Sequence, residues 1–206
     1  MATYLIDVFT KKNEVLLSNL IRSADSNNED ELGRVEWQLD NADYDVNLSD
    51  LIAIAVYTKN MENLEKYENG IAYYDDENLI DKIEQLLFLA ESNRHVFAGW
   101  NVKTYVVPVL TRAFILAGKD ISTIERVFNT YPFENRDTID LGNLYNFNGQ
   151  MNTVRARNRY SLEETAYSYG VITELTEPTF YDPEVTLRRR LALQKVLFEM
   201  RGYTWN

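Results

Sequence analysis

Aromatic and amide side chains suited to ligand binding follow one short apolar run in the middle of the chain. Residues 96–100 predict a buried strand that ends in Trp100, and Asn101 and a helix carrying Tyr105 come next. In open α/β sheets the carboxyl ends of the strands are the usual place for a site. The two aromatic rings could stack on the bases of a single-stranded nucleic acid, or they could pack against the sheet. Asn101 is expected to hydrogen-bond the backbone of the turn or to contact a substrate.

A second group of candidate residues is a run of alternating arginines, Arg155, Arg157 and Arg159. They could follow the phosphates of a nucleic acid or form ion pairs within the chain. The formal net charge is −11, and its excess lies in the first half: residues 1–103 carry 9 Lys+Arg against 20 Asp+Glu, and residues 104–206 carry 12 against 12. An acidic surface repels phosphate, so general nucleic-acid binding is disfavoured unless basic groups gather on one face.

Composition excludes several kinds of site. The 206 residues include no cysteine, which excludes disulfides, thiolate metal sites and a cysteine nucleophile. The one histidine, His95, is expected at the surface.

No apolar run approaches the ~20 residues of a membrane span, and the N-terminal residues do not resemble a signal peptide, so we expect a soluble cytoplasmic protein. Abundant Asn, Tyr and Ile are typical of AT-rich genomes such as those of some phages, which would place the protein in the host cytoplasm or the virion.

The order of the predicted elements indicates a mixed α/β domain that spans residues 1–206. The predicted strands are residues 3–8, 51–58, 61–72, 96–100 and 138–141. The predicted helices are residues 76–90, 106–117, 121–131, 160–169 and 184–201. Residues 14–21 suit a strand or a helix equally well. Residues 23–50 are rich in Asp, Asn and Glu, and they predict an acidic insertion or an exposed long loop.

Four blocks of sequence, in a fixed order, cover nearly the whole chain. They are YLIDVFT, FAGWNVKTYVVPVL, IDLGNL with RYSLEETAYSYGV, and FYDPEVTLRRRLALQKVLF. Their order and spacing resemble the DEDD (DnaQ-like) 3′–5′ exonucleases of the ribonuclease H-like superfamily, in particular the proofreading domain of family-B DNA polymerases. The matching motifs there are Asp-x-Glu-Thr, Gly-Phe-Asn-x-x-x-Phe-Asp-x-Pro-x-Leu, Ser-Leu-x-x-x-Ala-x-x-x-Gly and Tyr-x-x-x-Asp. The resemblance implies a mixed sheet of about five strands flanked by helices on both faces.

The resemblance also implies a chemistry that this sequence supports in part. The family hydrolyses a terminal phosphodiester with two divalent ions about 4 Å apart, held by four carboxylates, because Mg²⁺ and Mn²⁺ prefer oxygen ligands. By position the first acid is Asp7 and the fourth is Glu184, which are therefore the candidate metal ligands. The second and third acids correspond to Phe9 and Val106, which cannot bind a metal ion. Phe180 stands where the family has the Tyr or His that positions the attacking water, and it has no hydroxyl.

Three functions remain open at this point. We expect an exonuclease-like domain that has lost catalysis, needs no cofactor, and serves as a binding or structural module for a protein partner or a nucleic-acid end. The first alternative is an active Mg²⁺- or Mn²⁺-dependent exonuclease whose missing acids are supplied by Asp140 and Asp182. The second is an acidic DNA mimic that binds a nucleic-acid-processing protein. That function requires the acids of residues 25–50 and 62–77 to form one face.

Overall fold

The computed structural model describes residues 2–24, 28–40, 42, 45–59, 67–68, 71–131, 137–146, 161–174 and 182–205. Its strands are β1 (Thr3–Lys12), β2 (Ser49–Tyr57), β3 (Tyr67–Glu68), β4 (Ile71–Tyr74), β5 (Val96–Gly99) and β6 (Thr138–Asp140). Its helices are α1 (Glu14–Ser23), α2 (Glu29–Asp40), α3 (Leu79–Asn93), α4 (Val107–Leu116), α5 (Ser122–Val127), α6 (Leu141–Asn146), α7 (Leu162–Ser168) and α8 (Pro183–Met200). A π-helical turn, Val102–Val106, joins β5 to α4.

The strands form one mixed sheet in the order β3-β4-β2-β1-β5-β6. β2 pairs antiparallel with β1 and with β4, and β3 pairs antiparallel with β4, whereas β5 runs parallel to β1 and to β6. The predicted mixed α/β sheet is therefore confirmed. It has six strands where about five were expected, because the two-residue β3 adds a short strand at one edge.

Helices cover both faces of the sheet, as predicted. Side chains along β1 alternate between the faces, because successive residues of a strand point to opposite sides. Ile6 and Val8 pack in the cluster that includes side chains of α3, α4 and α5. Leu5 packs in the other cluster, with side chains of α7 and α8. The sheet is thus buried between two helical layers, which brings α8 over β1.

The acidic stretch predicted as an insertion or long loop contains a helix. α2 occupies residues 29–40 of it and opens with Glu29, Asp30 and Glu31, which suit the positive end of a helix dipole. Val35 anchors the helix, since its side chain is buried. The composition of the stretch correctly indicated that much of it is exposed. It did not indicate the helix, because an exposed acidic sequence with a buried apolar anchor forms a helix as readily as a loop.

Local capping decides two other helix starts. Oδ1 of Asn13 accepts hydrogen bonds from the backbone N–H groups of Val15 and Leu16, so residues 14–21 begin a helix and not a strand. A capping box starts the helix near residue 161: Ser161 Oγ accepts from Glu164 N, and Glu164 Oε2 accepts from Ser161 N. Within the described residues no helix is long and apolar enough to span a membrane.

Candidate functional site

The candidate site lies where neighbouring parallel strands end. Leu5 of β1 is in register with Ala98 of β5, and Gly99 of β5 is in register with Asp140 of β6. The carboxyl ends of β5 and β6 therefore meet at one edge of the sheet, the usual place for a site in α/β folds, and β1 continues past this edge to Lys12. Asp7, two residues beyond Leu5, lies at this edge under α8.

The carboxylate of Asp7 is completely buried and surrounded by donors. Oδ1 accepts the backbone N–H of Val8 at 2.8 Å. Oδ2 accepts the side-chain amide of Gln194 at 2.5 Å and lies 3.0 Å from Nε of Arg190. Both partners of Oδ2 come from α8, so the closing helix supplies the cation and the amide that hold this acid.

Burial and pairing act on the pKa of Asp7 in opposite directions. Burial, the larger effect, raises the pKa of this carboxyl above its ordinary value of 3.8, and the nearby charge of Glu163 adds to the rise. The charge of Arg190 and the hydrogen bonds from Val8 and Gln194 lower the pKa. The net direction is a raised pKa, because burial outweighs the donors, while the contact with Arg190 and the two hydrogen bonds favour the charged form of the carboxyl.

Gln194 joins α8 to two strands through both ends of its amide. Its Nε2 donates to Asp7, and its Oε1 accepts the backbone N–H of Trp100 at 3.1 Å. The side chain is completely buried, so both polar ends need these partners. Gly99 permits the close approach, because a Cβ at this position would lie 2.6 Å from the carbonyl oxygen of Ile6. The edge of the sheet and α8 therefore form one hydrogen-bonded unit.

Phe9 and Val106, the positions that correspond to the second and third acids, pack on opposite faces of the sheet. Phe9 is half-buried against the cluster that contains α8, next to a register shift in the pairing of β1 with β2. Val106 is completely buried in the cluster on the other face. Both side chains fill apolar space, and neither provides an oxygen.

Glu184 and Asp182, at the start of α8, both have partners within the helix. Asp182 is the N-cap residue, and its Oδ1 accepts the backbone N–H groups of Glu184 and Val185. Glu184 forms an ion pair with Arg188, with 2.6 Å between Oε1 and Nη2. The Glu184 side chain is 45% exposed, so it lies at the surface while Asp7 is buried. Phe180 lies outside the described residues.

Asp140 stabilises the backbone around the π-helical turn. Its side chain is completely buried; Oδ2 accepts the backbone N–H of Lys103 and Oδ1 that of Asn143, each at 3.0 Å. These contacts connect the end of β6 to the π-helical turn and to α6. Across the ranges that the structure describes, no three His, Asp or Glu side chains come together in a metal-binding arrangement.

The residues proposed to bind nucleic acid at this edge are largely packed into the protein. Trp100 is buried, with its ring beside Tyr145. Tyr105 is partly buried in the cluster on the face opposite α8, and its hydroxyl lies 2.5 Å from Oγ1 of Thr10. Asn101 has left-handed backbone with φ of 54°, and its buried Oδ1 accepts no hydrogen bond from the described residues. Arg155, Arg157 and Arg159 lie outside the described residues.

The sequence did not indicate which residues of α8 contact Asp7. Arg190 and Gln194 are four residues apart and so lie on one side of the helix. A signal was present, because Gln194 falls among the buried apolar positions Leu191, Leu193 and Leu197. A polar residue in such a stripe usually has a specific buried partner.

Divalent metal chemistry does not fit the residues present at this edge. The resemblance implies four carboxylates around two ions, and two of the four positions carry hydrocarbon side chains. A third, Asp7, is already held by a guanidinium. A divalent ion at Asp7 would lie beside this positive charge in a buried setting, where repulsion is weakly screened.

Comparisons with known proteins identify the fold. No family model and no curated protein matches the chain. Among solved structures, the family B DNA polymerase of the hyperthermophilic archaeon Pyrobaculum calidifontis matches with a TM-score of 0.52 and 13% identity, over 97% of this chain and 24% of that one. An Exonuclease I from Methylocaldum szegediense matches with a TM-score of 0.39 and 12% identity, over 98% of this chain and 41% of that one. The chain thus spans less than half of either protein. The likeness to the polymerase shows a shared fold, the ribonuclease H-like α/β fold that the sequence resemblance predicted.

Proposed function

We propose that this chain is a 3′–5′ exonuclease-like domain that does not cleave nucleic acid and acts as a binding or structural module. The observation that carries the proposal is the buried ion pair between Arg190 and Asp7. This ion pair involves Asp7, the one acid of the expected metal site that lies in a central strand of the sheet. A protein partner is the ligand class that we favour, because the net charge of −11 opposes nucleic acid.

Opening this ion pair for a metal ion would be costly. Arg190 would have to leave Oδ2 of Asp7, and the same oxygen also accepts the side-chain amide of Gln194. Breaking a buried pair by removing one partner costs about 3–5 kcal/mol, since it leaves a buried charge without compensation. A metal ion would need to recover this cost with few remaining ligands, because Phe9 and Val106 supply none.

The test is an assay of end cleavage on labelled single-stranded DNA and RNA with Mg²⁺ or Mn²⁺. We expect the unaltered chain to leave both substrates intact. The matched variant Asp7→Asn removes the central acid with little change in volume. Shortening of either substrate by the unaltered chain, lost in Asp7→Asn, would contradict the proposal.

The alternative of an active metal-dependent exonuclease is favoured by one observation. Glu163, in the first turn of α7, is close enough to Asp7 for its charge to raise the pKa of that carboxyl. Two acids near one edge are the start of a metal site. This alternative predicts cleavage that is lost in both Asp7→Asn and Glu163→Gln, so the same assay separates the two functions.

A further inference from the structure

An open apolar groove runs along the outer side of α4, on the sheet face opposite Asp7. We call it the α4 groove. It has a volume of about 620 Å³, and its walls include Val107, Pro108, Ile115 and Leu116 together with Lys103 and Arg112. A smaller hollow of about 310 Å³ shares Arg112 and Leu116 with it, so the two form one surface.

The composition of α4 indicates that this surface is an interaction surface. Its sequence is VPVLTRAFIL, in which Thr111 and Arg112 are the only polar residues. A helix that is apolar all round is normally buried on all sides. The inner side is buried through Leu110 and Phe114, but Ile115 is 59% and Leu116 is 66% exposed. Contiguous exposed apolar side chains of this kind mark interaction sites.

The charges around the groove are opposite in sign to those of the whole chain. The formal net charge is −11, yet among the described residues of the groove walls two are cationic and none is acidic. Both cations are largely buried and held in place. Lys103 is 6% exposed and donates through Nζ to the carbonyl of Tyr131 at 2.6 Å, and the Arg112 side chain is 22% exposed and donates through Nη1 to the carbonyl of Ser49 at 2.7 Å. Asp50, 3.2 Å from Arg112 Nη1, offsets part of that charge from the side of the smaller hollow.

We propose that the α4 groove binds an acidic amphipathic helix of a partner protein. Apolar side chains of such a helix would cover Ile115 and Leu116, and its flanking carboxylates would face Lys103 and Arg112, which is the common helix-in-groove mode with complementary charge. A nucleic acid does not suit the apolar floor. A second copy that used the same groove is disfavoured because it would bring the cations Lys103 and Arg112 of both copies together. The inference rests on the proposed role as a binding module and names the surface and the partner's chemistry.

The test uses two synthetic helical peptides of about 18 residues with the same leucine pattern, one flanked by Glu and the other by Lys. Binding is measured by fluorescence anisotropy and located by amide chemical-shift changes. We expect the Glu peptide to bind at least about 10-fold more tightly than the Lys peptide and to shift amides of α4. Equal affinities, no binding, or shifts confined to other elements would overturn the proposal.

Surface variants provide the second arm. Leu116→Glu and Ile115→Glu each place a like charge in the groove, and we expect each to weaken binding of the Glu peptide at least about 10-fold. The matched control is Phe88→Glu on α3, at a side chain that is 63% exposed and outside the described groove walls. Circular dichroism of all three variants confirms that they fold. An effect of Phe88→Glu equal to that of Leu116→Glu would overturn the proposal.

Two further measurements separate the other outcomes. Sedimentation that shows a dimer lost in Leu116→Glu would mean that a second copy fills the groove, and would overturn the partner assignment. The end-cleavage assay on the same sample keeps the two proposals apart. A chain that binds neither peptide and cuts no substrate refutes the groove inference, while the non-catalytic function stands.

Discussion

Nε of Arg190 lies 3.0 Å from Oδ2 of Asp7, a carboxylate that is completely buried between β1 and α8. The resemblance to exonucleases implies a metal cation against this acid. Here a cation of the same polypeptide takes that place, and it attaches the closing helix to the centre of the sheet. The ion pair thus links α8 to β1 at the acid that a metal ion would need.

Removing Arg190 should destabilise the fold more than removing a neighbouring arginine. Arg190→Met leaves a buried carboxylate without its cation, and we expect a loss of about 3 kcal/mol in the free energy of unfolding. The matched control is Arg188→Met, which removes a surface pair with Glu184 and should cost about 0.5 kcal/mol. Urea unfolding of both variants measures the difference. Equal effects would mean that the buried pair contributes no more than a surface pair.

Gln194 should be sensitive to both shape and charge. Gln194→Met leaves the backbone N–H of Trp100 without its acceptor and Asp7 without its amide donor, so we expect a loss of about 2–3 kcal/mol. Gln194→Glu retains an acceptor but places a second carboxylate against Asp7. Two adjacent carboxylates favour protonation of one of them in the folded state. The free energy of unfolding of this variant should therefore be higher at about pH 5 than at about pH 7. A Gln194→Glu chain with the pH dependence of the unaltered protein would contradict this contact.

Two glycine-to-alanine substitutions should act in opposite directions. A Cβ at Gly142 would collide with Oδ1 of Asn101 and would lie 3.2 Å from the backbone nitrogen of Asn101, which cannot move aside as the end of a side chain can. We expect Gly142→Ala to cost about 1–3 kcal/mol. Gly33, inside α2, has no atom within 4 Å of an added Cβ, and Gly33→Ala should add up to about 1 kcal/mol. Thermal unfolding measures whether each substitution lowers or raises the stability. A Gly142→Ala chain that is as stable as the unaltered chain would refute the close contact.

Mild acid should weaken the start of β1 through His95. Burial lowers the pKa of His95 below its ordinary value of 6.5, and its Nδ1 accepts the backbone N–H of Ala2 at 3.0 Å. The folded chain therefore binds fewer protons than the unfolded chain, so this contribution is complete above pH 6.5 and is lost as the pH falls through the lowered pKa. We expect the urea midpoint to fall between about pH 7.5 and about pH 5.5, and His95→Asn to reduce that fall.

The comparison with His95→Asn is needed because Asp7 acts with the opposite sign. Its pKa is raised, so the folded chain binds more protons than the unfolded chain above pH 3.8, and stability falls as the pH rises through that range. The difference between the unaltered chain and His95→Asn isolates the histidine. An identical slope in both chains would show that His95 does not contribute.

The sequence predicted the elements near the site better than the contacts between them. Apolar spacing and capping residues are local, and so the strands around Asp7 and the helix α8 could be assigned before the fold was known. The pairing of Asp7 with Gln194 joins residues 187 positions apart. No local pattern specifies which side of α8 faces β1, although a glutamine within its apolar stripe gives a hint.

The face on which Val106 lies could not be predicted from motif order. The segment from Val102 to Val106 forms a π-helical turn, in which the backbone N–H of Val107 bonds the carbonyl five residues back, at Val102. The sequence predicted an ordinary α-helix from residue 106, with 3.6 residues per turn, and no π-helical turn before it. One additional residue in a turn rotates the side chains around it, and such turns are frequent near functional sites. Matching the order of residues to a family therefore leaves their direction open.

The most direct test of the central claim is calorimetric titration of the unaltered chain with Mn²⁺, with Asp7→Asn as the control. If Arg190 occupies the place of the metal, the two titrations should be the same and should show no site that depends on Asp7. Tight binding of two ions to the unaltered chain, abolished in Asp7→Asn, would contradict the proposal and would assign this edge of the sheet to metal-dependent chemistry.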